Sequence, residues 1–188
     1  MRTPFKPRRL PQPLNEPALR ELALRYAGKY ATTRAKLRGY LARKVRERGW
    51  NGEKEPDFEA LANRFAELGY VDDASYALSQ SRSLSGRGYG KRRLTQKLRL
   101  AGVEAADSAE ANAHADDEAV EAALRFARRR RIGPFAGDAP DPRQREKWIA
   151  AMIRAGHHSG LARAIAGLSP GTEIDAETLR ERAGSAGL

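Results

Sequence analysis

The strongest constraint on the fold of this chain is a helical pattern that restarts along its length. Apolar residues recur at spacings of three and four, and the five residues 23–27 are echoed by residues 123–127. Three middle helices also share a pair of large apolar residues followed by a glycine: Leu37, Leu41 and Gly49; Leu94, Leu98 and Gly102; Trp148, Met152 and Gly156. The period is about 55 residues, the size of a three-helix unit. Because such a unit buries its own apolar face poorly, neighbouring units must stack or contact a partner.

All of the predicted regular structure is helical. No segment shows the sustained alternation of β-branched or aromatic residues with polar residues that a half-buried strand requires. The sequence therefore predicts an all-α protein of tandem three-helix repeats, with three units and about nine helices. The predicted organisation is a disordered basic, proline-rich arm over 1–14, repeats over 15–71, 72–117 and 118–170, and a flexible tail over 171–188, in which 176–182 could form a short helix.

Composition points to a polyanionic partner. Lys and Arg number 35 against 24 Asp and Glu, which gives a net charge of +11. Such an excess favours nucleic acid, a membrane surface or an acidic protein as partner, or serves solubility alone. An aromatic content of 7% and a negative mean hydropathy favour a small core and an elongated molecule.

Other features of the composition exclude whole classes of protein. The chain has no cysteine, which rules out disulfides, thiolate catalysis and cysteine metal sites. The N-terminal arm lacks the apolar segment of a secretory signal, and the longest apolar run, 148–153, is far too short to span a bilayer. We expect a soluble, cytoplasmic protein.

The densest basic segment lies in the second repeat and contains no acidic residue. On the helix that turns Leu94 and Leu98 inward, Arg92 and Arg99 point away from the core, which predicts a cationic stripe able to meet phosphates. A solvated face is the alternative, but such a face normally mixes charges of both signs. The residues assigned to binding here are Arg82, Arg87, Lys91, Arg92, Arg93, Lys97 and Arg99.

Two further basic patches support this stripe. One begins at Arg34, Lys36 and Arg38 and continues to Arg48, and the other is the run Arg128, Arg129, Arg130 and Arg131. An acidic block over 104–121 lies between the second-repeat stripe and this arginine run. We expect it to pair with basic residues of the same chain or to be solvated, and contact with a basic site on a partner is the alternative.

No catalytic or metal-binding arrangement emerges from the sequence. The glycine-rich residues 86–91 lack the spacing, the preceding strand and the Ser or Thr of a phosphate loop, so they predict a tight turn and a helix start. His157 and His158 are adjacent and therefore poor joint ligands on a helix, and Asp72 with Asp73 is typical of a helix cap. We expect no enzyme activity, no metal and no cofactor.

Two segments around the second repeat have a distinctive sequence. They are Gly-Tyr-Val-Asp-Asp-Ala-Ser-Tyr-Ala at 69–77 and Gly-Arg-Gly-Tyr-Gly-Lys-Arg-Arg-Leu-Thr-Gln-Lys-Leu-Arg-Leu-Ala-Gly-Val at 86–103. Both segments resemble the RecX family, the bacterial regulators of RecA recombinase. Thr33, Arg34 and Leu37 of the first repeat are similar to a further family signature. The resemblance covers residues 17–168 and departs from the family pattern at Lys91, where a proline is common, and at the histidines after Gly156.

The resemblance implies a curved molecule that lies in the groove of a RecA–DNA filament and modulates the recombinase, usually by inhibition, in DNA repair and the SOS response. The implied partners are the RecA filament and, weakly and in a salt-dependent way, single- or double-stranded DNA, with a monomer as the expected state. A general helical DNA- or RNA-binding protein is the alternative function. It would bind bare nucleic acid tightly, although the stripe offers only Thr95 and Gln96 as base-reading side chains besides Arg and Lys.

Overall fold

A computed structural model describes residues 12–185, and all regular structure within this range is helical. The ten α-helices are α1 (Glu16–Lys29), α2 (Arg34–Arg48), α3 (Phe58–Glu67), α4 (Asp73–Gly86), α5 (Lys91–Leu100), α6 (Ala109–Asp117), α7 (Ala119–Arg130), α8 (Pro142–Arg154), α9 (Ser159–Ala166) and α10 (Ala176–Ser185). A 3-10 turn over Gly133–Phe135 lies between α7 and α8. None of the helices in this range has the length and apolarity that crossing a bilayer demands.

These helices confirm the predicted all-α class and the three-helix repeats, with α1–α3, α4–α6 and α7–α9 as repeats 1, 2 and 3. The chain divides into two compact units between Asp72 and Asp73. The first unit contains repeat 1, and the second contains repeats 2 and 3. The elongated and curved shape stays a prediction, and so does the boundary between repeats 2 and 3 at 117.

Repeat 1 forms because each of its helices begins at a residue whose side chain satisfies a free backbone amide. Asn15, Thr33 and Asp57 accept hydrogen bonds from the amides three residues later, at 3.1, 3.2 and 2.9 Å. The apolar stripes of the three helices then meet in one core, made of Leu19, Ala23, Leu37, Leu41, Ala62 and Phe65 together with Leu14 and Val71.

The arm predicted to be disordered over 1–14 is ordered where the structure describes it. Leu14 is fully buried. Its amide donates to the carbonyl of Gly49 at 2.9 Å, and its carbonyl accepts from the amide of Asn51 at 2.8 Å. The prolines exclude a helix but allow this extended pairing, and the buried leucine anchors it, so the prediction was wrong for residues 12–14. Residues 1–11 lie outside the described range.

Repeats 2 and 3 have separate cores within the second unit. In repeat 2, α4 packs on α6, and α5 contributes Leu94 and Leu98, which are 1% and 3% exposed. In repeat 3, α7 and α9 pack around Phe126, Met152 and Ile165. Within the acidic block, residues 105–108 form turns, and α6 begins at Ala109.

Backbone contacts join repeat 2 directly to repeat 3 at the start of α5. The amide of Gly90 donates to the carbonyl of Ala155 at 3.0 Å, and the amide of Arg92 donates to the carbonyl of Gly156 at 3.2 Å. A Cβ atom on Gly90 would lie 2.3 Å from the Gly156 carbonyl oxygen, so no side chain fits there. Below this joint, His157 is buried, with Nε2 3.1 Å from the carbonyl oxygen of Gly88.

The tail predicted to be flexible from 171 contains α10, which packs against α9 and α7. Leu179 is only 3% exposed and belongs to the core of repeat 3. Asp175 starts the helix by accepting from the amide of Glu177 at 3.0 Å and from the hydroxyl of Thr178 at 2.5 Å. These hydrogen bonds, that of Thr178 first, hold the pKa of Asp175 below its usual value. The cap and the buried leucine explain why this segment folds.

Candidate nucleic-acid interface

Helix α5 presents the cationic stripe that its sequence predicts. Leu94 and Leu98 are buried, and the other eight residues of the helix are exposed. The exposed set includes Lys91, Arg92, Arg93, Lys97 and Arg99 and no acidic residue. Arg82 is exposed on α4, and Arg87 is exposed in the turn that follows it. Gly86 ends α4 and Gly90 precedes α5, which confirms the tight turn and helix start expected of this glycine-rich segment.

One cation of the stripe is neutralised from within the second unit. Lys91 donates to Asp116 of α6 at 2.5 Å. Glu118 likewise pairs with Arg125. At these two positions the acidic block pairs with basic residues of the same chain, which leaves the more distal part of α5, from Arg92 to Arg99, as its most cationic surface.

The patch of the first unit is less available than its sequence suggests. Arg34 and Lys36 are half-buried at the start of α2. Arg38 forms an ion pair with Glu59 of α3. Further along α2, Lys44 pairs with Glu47 at 2.6 Å. These ion pairs reduce the charge that α2 can offer to a phosphate.

Aromatic rings support three of the four arginines at the end of α7. The guanidinium of Arg128 lies 4.8 Å from the ring centre of Phe135, and those of Arg129 and Arg130 lie 5.7 and 5.9 Å from that of Phe126. Arg129 also donates to the backbone carbonyl of Arg87 at 2.8 Å. Arg131 ends the helix in the left-handed conformation, with φ of 54°.

The structure brings Arg87, Arg129 and Arg130 together, although they were predicted in separate patches. They line a cleft of about 450 Å³ within the second unit, with Tyr89 and Phe126 in its walls. Arg154 at the end of α8 is a fourth arginine of this cleft, which sequence reasoning missed. Its local pattern is that of an ordinary helix end, and only the packing of repeat 3 on repeat 2 reveals its position.

The three histidines have separate structural positions. Nδ1 of His114 lies 3.0 Å from the hydroxyl of Ser81, and Nδ1 of His158 accepts from the amide of Gly160 at 3.3 Å. Burial lowers the pKa of His157 to about 4, although its hydrogen bond with Gly88 opposes this shift. Over residues 12–185, His, Asp and Glu form no group of three or more that could hold a metal ion.

Fold and surface together define an all-helical repeat protein with a cationic face on the middle helix of its second repeat. Residues 72–111 match a family model described as RecX, second three-helix domain. A protein of Myxococcus xanthus called regulatory protein RecX is 34% identical over 170 residues, covering 85% of this chain and 90% of the relative. One of Agrobacterium fabrum with the same name is 34% identical over 128 residues, covering 66% of this chain and 68% of the relative.

The solved structures that resemble this chain agree with that result at the level of the fold. The crystal structure of RecX from Lactobacillus salivarius is 16% identical, with a TM-score of 0.54 over 89% of this chain and 95% of that one. A crystal structure of regulatory protein RecX has a TM-score of 0.56 at 19% identity, over 80% and 72% of the two chains. The chain belongs to the RecX family, a family of regulatory proteins rather than of enzymes.

Proposed function

We propose that this protein binds the RecA–DNA filament through the exposed face of α5 and inhibits the recombinase. The observation that carries the proposal is the one-sided charge of that helix: leucines fix its inner face, and its outer face is cationic without an acidic residue. Binding of such a surface to phosphates is favoured because it releases their counterions. Binding to the RecA–DNA filament would mean that the protein acts in the cytoplasm.

The chemistry of the α5 side chains determines what this surface can recognise. The α5 face offers guanidinium and ammonium groups, which bind phosphates and acidic side chains, and few groups that read base edges. We therefore propose recognition that is independent of DNA sequence, with weak, salt-dependent binding to bare DNA by a monomer. Light scattering tests the monomer, and a slope of binding against salt tests the DNA contact.

Charge reversal on α5 tests the assignment. We expect Arg92→Glu with Arg99→Glu to abolish inhibition of ATP hydrolysis by a preformed RecA filament on single-stranded DNA. Both side chains are exposed, so circular dichroism should show unchanged helicity. A matched control reverses Arg145 and Arg163, which are exposed on α8 and α9, and this control should still inhibit. Inhibition that survives reversal on α5 would remove the proposal.

The same assay separates filament regulation from general DNA binding. It is run at salt high enough to suppress binding to bare DNA and titrated with the protein. Loss of ATP hydrolysis well below one molecule per recombinase subunit supports specific binding to the filament, by capping or by groove blocking. An effect that begins only when the DNA is saturated means that the protein competes for phosphates, and the general DNA-binding function replaces the proposal.

A further inference from the structure

The cleft between repeats 2 and 3 concentrates positive charge that no carboxylate within residues 12–185 neutralises. Arg87 comes from repeat 2, and Arg129, Arg130 and Arg154 come from repeat 3. Among the described residues, none of these four forms an ion pair with a carboxylate, and the cleft lining contains no acidic residue. Lys91, Arg38 and Arg125, by contrast, all have acidic partners.

Aromatic rings in the walls of the cleft contact three of these four guanidinium groups. Arg87 lies over the ring of Tyr89 at 5.4 Å, and Arg129 and Arg130 lie over that of Phe126. A guanidinium stacked on a ring can still donate from its N–H edges, and a phosphate accepts two parallel hydrogen bonds of this kind. Arg129 already uses one of its N–H groups on the carbonyl of Arg87, and its remaining N–H groups are the ones available to a phosphate. Because the side chains of Arg87, Arg129 and Arg130 are already restrained, binding to them costs less conformational entropy than binding to freely rotating arginines.

The cleft continues onto the proposed filament surface. Arg87 and Tyr89 also line an adjoining hollow whose other residues include Arg93, Gln96 and Lys97 of α5. Arg93 of α5 also contacts Tyr89, with its guanidinium 5.8 Å from the ring centre. A continuous path of cations from the cleft to α5 matches a ligand with several phosphates in a row, rather than one isolated anion.

We infer that this cleft is a phosphate-binding site for the backbone of a nucleic-acid strand, which contacts repeats 2 and 3 at once and continues along α5. In this site Arg154 binds phosphate, and the rings of Tyr89 and Phe126 position the other arginines. The inference rests on the proposed function in that the filament supplies the strand, but the site can be tested on bare DNA without the recombinase.

The test removes one arginine from each repeat. Fluorescence anisotropy of a labelled oligothymidylate is measured over a salt series for Arg87→Gln, Arg154→Gln and the double variant. We expect the log–log salt slope to fall by about 0.7 for each single variant and by about 1.4 for the double, or roughly 25-fold weaker binding at 0.1 M salt. The double variant Arg145→Gln with Arg163→Gln loses the same charge outside the cleft and should change the slope much less.

The outcomes separate the possible ligands. A slope that falls with Arg87→Gln but not with Arg154→Gln overturns the cleft, since Arg87 also borders α5. An equal fall in the control pair overturns it too, because only net charge would then matter. Displacement of the oligonucleotide by inorganic phosphate or ADP at low concentration assigns the cleft to a free phosphate and overturns the strand. If the slopes change as expected but the protein does not inhibit RecA, the cleft stands as a DNA site and only the proposed function is contradicted.

Discussion

Helices α2 and α5 are the middle helices of repeats 1 and 2, and both are rich in Arg and Lys, yet their charges have different surroundings. On α2, Arg38 and Lys44 pair with Glu59 and Glu47. On α5 only Lys91 has an acidic partner among the described ion pairs. The density of cations along a helix therefore does not determine how many can meet a partner, since carboxylates of the same helix or of a neighbouring helix neutralise some of them.

The two helices also begin differently. The hydroxyl of Thr33 caps α2 from within the same repeat. No side chain caps α5, and the carbonyl of Gly156 in repeat 3 accepts the amide of Arg92 instead. A side chain adjacent in sequence thus caps α2, whereas a backbone carbonyl from another repeat accepts a hydrogen bond at the start of α5.

The largest effect is expected from truncating the leucine that anchors each helix. Leu94→Ala and Leu37→Ala should each cost about 3 kcal/mol of unfolding free energy, because both side chains are almost fully buried. Hydrogen exchange should show the loss within α4–α6 for the first variant and within α1–α3 for the second. Leu100→Ala is the control, since its side chain is 78% exposed. Loss of protection in both units from a single variant would contradict the separate cores.

Acid should weaken the joint at α5 and leave repeat 1 largely unaffected between pH 6.5 and 4. Burial lowers the pKa of His157 from 6.5 to about 4 in the folded protein. The unfolded chain therefore binds the proton first, so stability falls as pH drops through this window, by about 3 kcal/mol at its lower end. Denaturant unfolding at several pH values measures the effect. His157→Gln should flatten the profile, and a variant that keeps the full pH dependence would assign it to other groups.

The start of each helix can be disrupted by one substitution. Gly90→Ala should cost about 2 kcal/mol because its methyl group would clash with the Gly156 carbonyl. Thr33→Ala should cost about 1 kcal/mol through loss of the cap. Gly86→Ala is the matched control for the first variant, since no atom lies near its added carbon. Thermal unfolding measures all three, and equal shifts for the two glycine variants would show that repeat 3 does not constrain Gly90.

The smallest effect tests the ion pairs themselves. Asp116→Asn releases Lys91 and Glu59→Gln releases Arg38, each at a cost of roughly 0.5 kcal/mol because the pairs are partly exposed. We expect the first variant to steepen the salt dependence of DNA binding by about 0.7, since it adds a phosphate contact on the α5 face. The second should change it little. Equal steepening in both would make the two helices equivalent as binding surfaces.

The sequence predicts the inner faces of the helices well because a buried leucine every three or four residues is a local signal. Leu37, Leu41, Leu94 and Leu98 all lie in the cores where that period places them. The glycine-rich turn before α5 is a local signal in the same sense.

What the sequence does not predict depends on contacts between distant residues. Leu14 is buried because it pairs with the backbone around Trp50. The proline-rich sequence around Leu14 gives no sign of this pairing. Arg154 enters the cleft only when repeat 3 packs on repeat 2. The pairing of Arg38 with Glu59 likewise needs α3 to fold back on α2. The candidate site was therefore predicted as separate patches, and the structure defines which of them lie together.

The contact between Gly90 and Gly156 has a consequence for how such repeats can be exchanged. Two bare backbones meet there, so a repeat grafted from a relative fits only if it brings glycine at its own side of the seam. Chimeras cut between α6 and α7 should fold when both glycines are kept and lose cooperativity when either is not. The exchange of repeats is thus limited by two positions that tolerate only a hydrogen atom as side chain, Gly90 before α5 and Gly156 after α8.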